Sequence, residues 1–251
     1  MVVATPTNKS VLGLQGLHLY HADISNCSMR VRITLEEKGL TWTSHHLDLR
    51  KRENVTEEYF GINSKGLVPT LVHDGVVIVE STDIIDYLDE TFPDPPLRPS
   101  NTSDRKAVGE WTTLAASIHV KAVKTWTYAV KMGSVLKKSD EELQKYRNLQ
   151  TNQELLDFHS KVQQGFTQED IDRAGQILKD RFVRIDAELG QHEWLVGDTF
   201  TLADIAWVPL HFTLIGSKFS FDEYSNIGRW VEAIRKRPSF RKGVLQWCEK
   251  F

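Results

Sequence analysis

Apolar positions recur along this chain in two rhythms. Up to about residue 92 they form short runs, or alternate with polar residues, and are broken by Gly, Asp and Asn. From about residue 104 they return every three or four positions. The first rhythm predicts strands and the second helices. Leu17-His18-Leu19-Tyr20 reads as a short strand. Residues 29–38 carry Val31, Ile33 and Leu35 and stop at Gly39, a helix ending. Residues 42–49 alternate and predict a second strand, and a short helical turn follows near Glu57, Tyr59 and Phe60. Pro69-Thr70-Leu71-Val72-His73 and Val76-Val77-Ile78-Val79-Glu80 flank Asp74-Gly75, a strong hairpin signal. A helix over 82–90 places Ile84, Ile85 and Leu88 on one side. The order β-α-β-α-β-β-α describes a compact α/β unit over residues 15–92.

Pro93-Asp94-Pro95-Pro96-Leu97-Arg98-Pro99 cannot continue a helix and predicts a semi-rigid linker over 93–103. Beyond it, residues 104–131, 139–147, 168–189, 202–214 and 227–236 all have helical periodicity, with almost no strand signal. Thr201-Leu202-Ala203-Asp204 fits a capping box, a hydroxyl three residues before an acid at a helix start. An all-helical domain over 104–251 is therefore expected, with no internal repeat and no low-complexity tract.

With 251 residues, 40% hydrophobic and 26% charged, the chain is long and apolar enough for real cores. Its net charge of −3 gives no basic face for nucleic acid, and Arg50-Lys51-Arg52 reads as a solvated loop. No stretch approaches the roughly 18 apolar residues of a membrane span. Residues 1–10 carry no apolar core of the signal-peptide kind. The two cysteines, Cys27 and Cys248, lie far apart, which suits a reducing cytoplasm better than a disulfide scaffold. No His-x-x-x-His spacing occurs, and no metal is predicted.

Candidate chemistry gathers at three places. Ser25-Asn26-Cys27-Ser28 opens the first predicted helix, Gly66-Leu67-Val68-Pro69 enters a strand, and Glu80-Ser81 leads from a strand into a helix. The residue before a proline at a strand mouth keeps its backbone free for an extended ligand. An acid and a hydroxyl at a helix start can hold the amine and carboxylate of a small peptide. Together with Tyr20 and Phe200-Thr201-Leu202-Ala203-Asp204-Ile205, these motifs resemble the soluble glutathione transferases in order and spacing from about residue 17 to 245. Ser25-x-Cys27-Ser28-x-Arg30-Val31-Arg32-Ile33 is similar to the run of zeta-class maleylacetoacetate isomerases and to that of tetrachlorohydroquinone reductive dehalogenases, with Asn26 in place of the second zeta serine. A polar insertion over about 133–165 resembles the lignin β-aryl-etherases.

The resemblance implies a thioredoxin-like glutathione-binding domain followed by the helical domain, glutathione as co-substrate, and a dimer. A thiol of pKa about 8.5 is only a few per cent ionised at neutral pH, so the protein must favour the thiolate. Ser25 is the implied hydroxyl donor to sulfur and Ser28 the second candidate, with the helix N-terminus adding partial positive charge. Either serine can also serve as the N-cap. Cys27 is a fork: a direct nucleophile, as in the dehalogenases, or a supporting residue, as in zeta enzymes. Tyr20 reads as a core ring. The Val68 backbone would pair with the cysteinyl part of glutathione, Pro69 would be cis, Glu80 and Ser81 would hold the γ-glutamyl group, and Lys65 could meet the glycine carboxylate. Asp204 reads as the cap of a buried helix and Cys248 as inert. Trp111, Ala115, Ile118, His119, Ala122, Trp126 and Tyr128 on the first long helix, with Trp207, form a candidate wall for an aromatic electrophile, although such a stripe also serves as core. The implied reaction is thiolate attack with displacement of an aryl oxide or a halide. The alternatives are glutathione-dependent cis–trans isomerisation and a non-catalytic binder of hydrophobic ligands on the same fold.

Overall fold

The computed structural model describes residues 1–132 and 137–248. The start of the predicted polar insertion, 133–136, and the end of the helical domain, 249–251, lie outside the described residues. Five strands form one sheet: β1 (Val2–Ala4), β2 (Leu17–His21), β3 (Trp42–His46), β4 (Thr70–His73) and β5 (Val76–Val79), in the order β1-β5-β4-β2-β3. Only β2 and β3 are parallel, with Leu17 opposite Trp42; β2–β4, β4–β5 and β5–β1 are antiparallel. The hairpin turns at Asp74-Gly75. Gly75 has φ +80°, and a Cβ there would meet the Leu12 carbonyl oxygen at 2.5 Å, so the turn requires glycine.

The helices of this half are α1 (Asn26–Glu37), the single turn α2 (Glu57–Phe60) and α3 (Ser81–Thr91). In the helical half follow α4 (Thr102–Ser117), a π-turn (His119–Lys124), α5 (Thr125–Thr127) and a second π-turn (Tyr128–Met132). Next come α6 (Asp140–Leu149), α7 (Gln153–Gln164), α8 (Gln168–Leu189), α9 (Leu202–Ile215) and α10 (Ser225–Arg235). The described chain ends in α11 (Pro238–Phe240), a π-turn (Arg241–Leu245) and α12 (Gln246–Cys248).

The predicted helix over 104–131 is thus not one helix. Past Ser117 the backbone widens to π geometry, where the 3.6-residue rhythm no longer says which side faces inward. Several elements escape the pattern, among them β1, α7 and the short C-terminal turns from α11 to α12. β1 is three residues long, and α7 lies in a stretch dominated by polar residues.

α9 is buried nearly all round, from Leu202 to Leu214, and forms the axis of the helical core. Its start is held as the capping box predicts. Asp204 accepts from the Thr201 N–H (2.9 Å), the Leu195 N–H (3.0 Å) and the indole N–H of Trp230 (2.8 Å). α1 packs against α3 on one side and against α9 and the C-terminal turns on the other. That enclosure explains why both of its arginines, Arg30 and Arg32, are buried. Lys38, at its end, pairs with Asp89 and donates to the carbonyls of Phe92 (2.8 Å) and Pro95 (2.6 Å), which ties the linker down.

Candidate glutathione site

α1 begins with Ser25 as N-cap, its Oγ accepting from the Ser28 N–H at 3.2 Å. The hydroxyl proton of a capping serine stays free, so Ser25 can cap and still donate to a sulfur. Ser28, the second candidate, is fully buried, and its Oγ accepts from the Ala22 N–H at 3.3 Å. From that buried position it braces the β2–α1 connection.

Cys27 is half-buried, with its Sγ 3.6 Å from Nε2 and 3.9 Å from Nδ1 of His119. Desolvation, followed by the charges of Lys124 and Arg30, holds His119 well below the usual imidazole range. The imidazole is therefore neutral at physiological pH. It can share a hydrogen bond with the thiol but does not supply the imidazolium charge that accompanies a papain-like cysteine.

Arg30 was quoted in the sequence only as part of a motif, yet it links the two halves of the site. Its Nε donates to the Ala206 carbonyl of α9 (2.9 Å) and its Nη1 to Ser81 Oγ at the start of α3 (3.1 Å). It is 1% exposed, and its Nη2 has no hydrogen-bond partner among the described residues. Burial lowers its pKa and the neighbouring Cys27 opposes that effect. Arg32 differs, because each of its nitrogens donates: Nε to the Gly243 carbonyl, Nη1 to the Ala22 carbonyl and His21, Nη2 to the Asp23 carbonyl. The available signal was two arginines in the otherwise apolar run Val31, Ile33, Leu35.

The Val68–Pro69 bond is cis, as the resemblance implied. Val68 precedes β4, and among the described residues its backbone joins neither the sheet ladder nor any other backbone bond. The approach to it is braced. Tyr59 Oη donates to the Leu67 carbonyl (2.6 Å), as does Asn63 Nδ2 (2.9 Å), and Gln150 Nε2 reaches across from the helical domain to the Lys65 carbonyl (2.9 Å). Gly66 has φ +60°, and a Cβ there would run into the Phe60 ring at 2.5 Å.

Glu80 is left-handed at φ 67°, a conformation that costs a non-glycine residue of order 1 kcal/mol and survives only where its surroundings enforce it. Its carboxylate meets Lys65 Nζ at 2.6 Å, both side chains being over 40% exposed. An exposed pair of this kind is worth little and exchanges readily for ligand charges. Ser81 is buried and accepts from Arg30, which leaves its own proton available.

Of the proposed substrate wall, only His119 reaches the thiol end. Trp111, Ala115, Ile118, Ala122 and Trp207 lie in the helical core, with the Trp207 indole donating to the Trp111 carbonyl (3.0 Å). Trp126 packs on Phe219 (5.4 Å) and donates to the Ser217 carbonyl. Tyr128 meets Phe158 of α7 (5.5 Å). The π-turn accounts for the difference, because it rotates His119 and Lys124 away from the stripe that α4 buries. Tyr20 is half-buried, stacked on His45 at 4.3 Å. Burial raises the Cys248 pKa, in keeping with an unreactive thiol. Among the described residues no cluster of three His, Cys, Asp or Glu could hold a metal, and no helix is long and apolar enough to cross a membrane. A shallow surface depression of about 620 Å³ between α4 and α8, lined by Lys106, Glu110, Leu114 and Arg184, includes none of the site residues.

The sheet order, the cis-prolyl bend and the all-helical second half define the two-domain glutathione transferase architecture. Residues 19–96 match the glutathione S-transferase N-terminal domain and residues 126–238 its C-terminal domain. A probable maleylacetoacetate isomerase of Caenorhabditis elegans is 31% identical over 224 residues, covering 88% of this chain and 90% of that one. The chain belongs to the glutathione S-transferase family, whose co-substrate is glutathione. Protein LigF of Sphingobium sp. strain SYK-6 is 29% identical over 238 residues, 90% of this chain and 92% of that one. The crystal structure of LigF, described as a beta-etherase, superposes with a TM-score of 0.84 at 28% identity, covering 94% of this chain and 100% of that one. A tetrachloro-p-hydroquinone reductive dehalogenase of Sphingobium chlorophenolicum is 25% identical over 234 residues, 88% of this chain and 93% of that one.

Proposed function

We propose that this protein ionises the thiol of glutathione at the N-terminus of α1 and uses it to displace a leaving group from an aromatic electrophile, with β-aryl ether cleavage ahead of dehalogenation. The observation that carries the reading is a continuous line of contacts: His119 to Cys27 at the start of α1, Arg30 one turn on to Ser81, and Glu80 beside it to Lys65, next to the unpaired Val68 backbone. A tripeptide has the groups to match that line. Its cysteinyl backbone pairs with Val68 as an added strand. Its γ-glutamyl amine takes Glu80 and its γ-glutamyl carboxylate takes Ser81. Its glycine carboxylate takes Lys65, released from Glu80 as the ligand supplies both counter-charges.

The sulfur then lies at the α1 N-terminus, where the Ser25 hydroxyl donates to it and the helix end adds partial positive charge. Thiolate attack on carbon forms the C–S bond as that carbon's own bond to the aryloxy oxygen or to the halogen breaks, the electron pair leaving with oxygen or halide. Beside a neutral His119, Cys27 supports the site and does not compete as nucleophile. The preference for ether cleavage rests on the likeness to LigF along nearly the whole of both chains.

Isomerisation is the second reading, favoured by the 31% identity to the probable maleylacetoacetate isomerase and the Ser25-x-Cys27-Ser28 run. In it glutathione adds and leaves again. A turnover screen with glutathione against β-aryl ethers, halogenated hydroquinones and maleylacetone separates the readings. A sulfur-bearing product with released phenol supports ether cleavage. Isomerised maleylacetone with glutathione unconsumed supports the second reading. No turnover of any of the three refutes both.

A further inference from the structure

Two lysines of the helical domain stand half-buried with no carboxylate partner among the described residues. Lys124 closes the π-turn that His119 opens, and Lys138 lies just ahead of α6. Both rest on one aromatic group. Lys124 Nζ is 5.8 Å from the centre of the Phe158 ring. Lys138 Nζ is 4.9 Å from the centre of the Tyr146 ring and 3.1 Å from His159 Nδ1. Phe158 and His159 are neighbours on α7 with rings 5.6 Å apart, Tyr146 meets His159 at 4.8 Å, and Tyr128 meets Phe158 at 5.5 Å.

The histidine does not neutralise the lysines. Burial first, then Lys138 and Lys124, push His159 down to about 3, so it accepts a hydrogen bond and carries no charge. Burial and the nearby Arg52 push Lys138 down to about 8, and Arg52 itself is engaged by Glu142. Partly desolvated cations without a counter-ion are unfavourable, and an anion entering between them relieves the cost. The flanking rings select a flat guest. The location fits a leaving group, because Lys124 lies one π-turn from His119, which touches Cys27, and its charge is felt at His119.

We propose that Lys124 and Lys138 form a subsite for an aromatic oxyanion, the aryl oxide released when the glutathione thiolate displaces it. This rests on the displacement reading above. The C–O electron pair stays on the aryl oxygen, which is held by the two ammonium groups until it takes a proton from solvent. A halide would leave nothing to lie on Tyr128 and Phe158, so the subsite sets ether cleavage apart from dehalogenation.

The test is binding without turnover. The full chain, saturated with S-methylglutathione, is titrated calorimetrically with para-nitrophenolate and with its uncharged methyl ether, para-nitroanisole. The wild type should bind the phenolate more tightly than the ether. Lys124→Met and Lys138→Met should each weaken phenolate binding by about tenfold, the scale of a lost hydrogen bond to a charged group, and leave para-nitroanisole and S-methylglutathione unchanged. Lys138→Arg, which keeps the charge, should retain phenolate binding and controls for folding. Unchanged phenolate affinity in both Met variants overturns the proposal. So does a loss confined to S-methylglutathione, which would assign the lysines to the peptide's own carboxylate. Phenolate binding in a protein that cleaves no ether would refute the activity and leave the subsite standing.

Discussion

Removing the Ser25 hydroxyl should slow thiol chemistry far more than it loosens the fold, and the geometry at α1 allows the two effects to be separated. As N-cap, Ser25 takes one N–H, that of Ser28, at 3.2 Å. Loss of such a cap to Ala costs about 1 kcal/mol, and to Gly only a few tenths. As donor to a thiolate, the same hydroxyl supplies a hydrogen bond to a charged group, worth about 1.5–3 kcal/mol, or roughly ten- to a hundredfold in rate. Ser25→Gly should therefore lose kcat/KM by ten- to a hundredfold at nearly wild-type stability, whereas Ser25→Ala should lose as much activity and about 1 kcal/mol of stability as well. The direct readout is the ultraviolet absorbance of enzyme-bound glutathione thiolate against pH, whose midpoint should rise by about one to two units in both variants. The reasoning fails if Ser25→Gly keeps kcat/KM within about twofold of wild type, or if activity loss tracks stability loss across Ala, Gly and the capping variant Ser25→Asn.

Three further outcomes follow from the same contacts. Cys27→Ala should leave ether cleavage largely intact and abolish any reductive step; loss of all turnover would make Cys27 the nucleophile. Asp204→Ala should destabilise by more than about 3 kcal/mol in urea denaturation, because it strands the buried donors of Leu195, Thr201 and Trp230, and a loss under about 1 kcal/mol would contradict that account. Stability should also fall in mild acid. His21, His159 and His211 are held at about 2, 3 and 4, chiefly by burial, against about 6.5 in the unfolded chain. The unfolded state therefore binds protons that the fold refuses, so their contribution is complete above about pH 6.5 and is lost as pH drops, up to about 2 kcal/mol each at about pH 5. A urea midpoint that stays flat from about pH 7 to about pH 5 would refute this.

The sheet half was legible because its signals are local. Asp74-Gly75 forces a hairpin through the backbone geometry of Gly75, and Gly39 (φ +61°) closes off α1. β1 was hidden because its stability is not local: Val2, Val3 and Ala4 pair with the free edge of β5, seventy-odd residues away in sequence. In the helical half, periodicity found the helices but not the orientation of the first one. Trp111, Ala115 and Ile118 follow α4 into the core as their spacing requires. His119 and Lys124 do not follow it, because the π-turn changes the rotation per residue at that point. Spacing alone cannot distinguish a residue before such a turn from one after it, so it leaves open which positions of such a stripe are core and which are wall.

On the proposed reading, the two halves of the protein meet chemically at Arg30. One buried guanidinium binds the Ala206 carbonyl of α9, steadies Ser81 at the start of α3, and lies close enough to bear on both Cys27 and His119. Arg32, two residues on, is buried to the same degree but spends every nitrogen on structural partners. Arg30, at 1% exposure, keeps Nη2 without a hydrogen-bond partner among the described residues. A fold does not gain stability by burying a charge with an unmet donor. The return has to come when negative charge arrives, and the negative charge this groove is arranged to receive is the thiolate and γ-glutamyl carboxylate of glutathione. The site therefore carries an electrostatic cost while empty that its ligand removes.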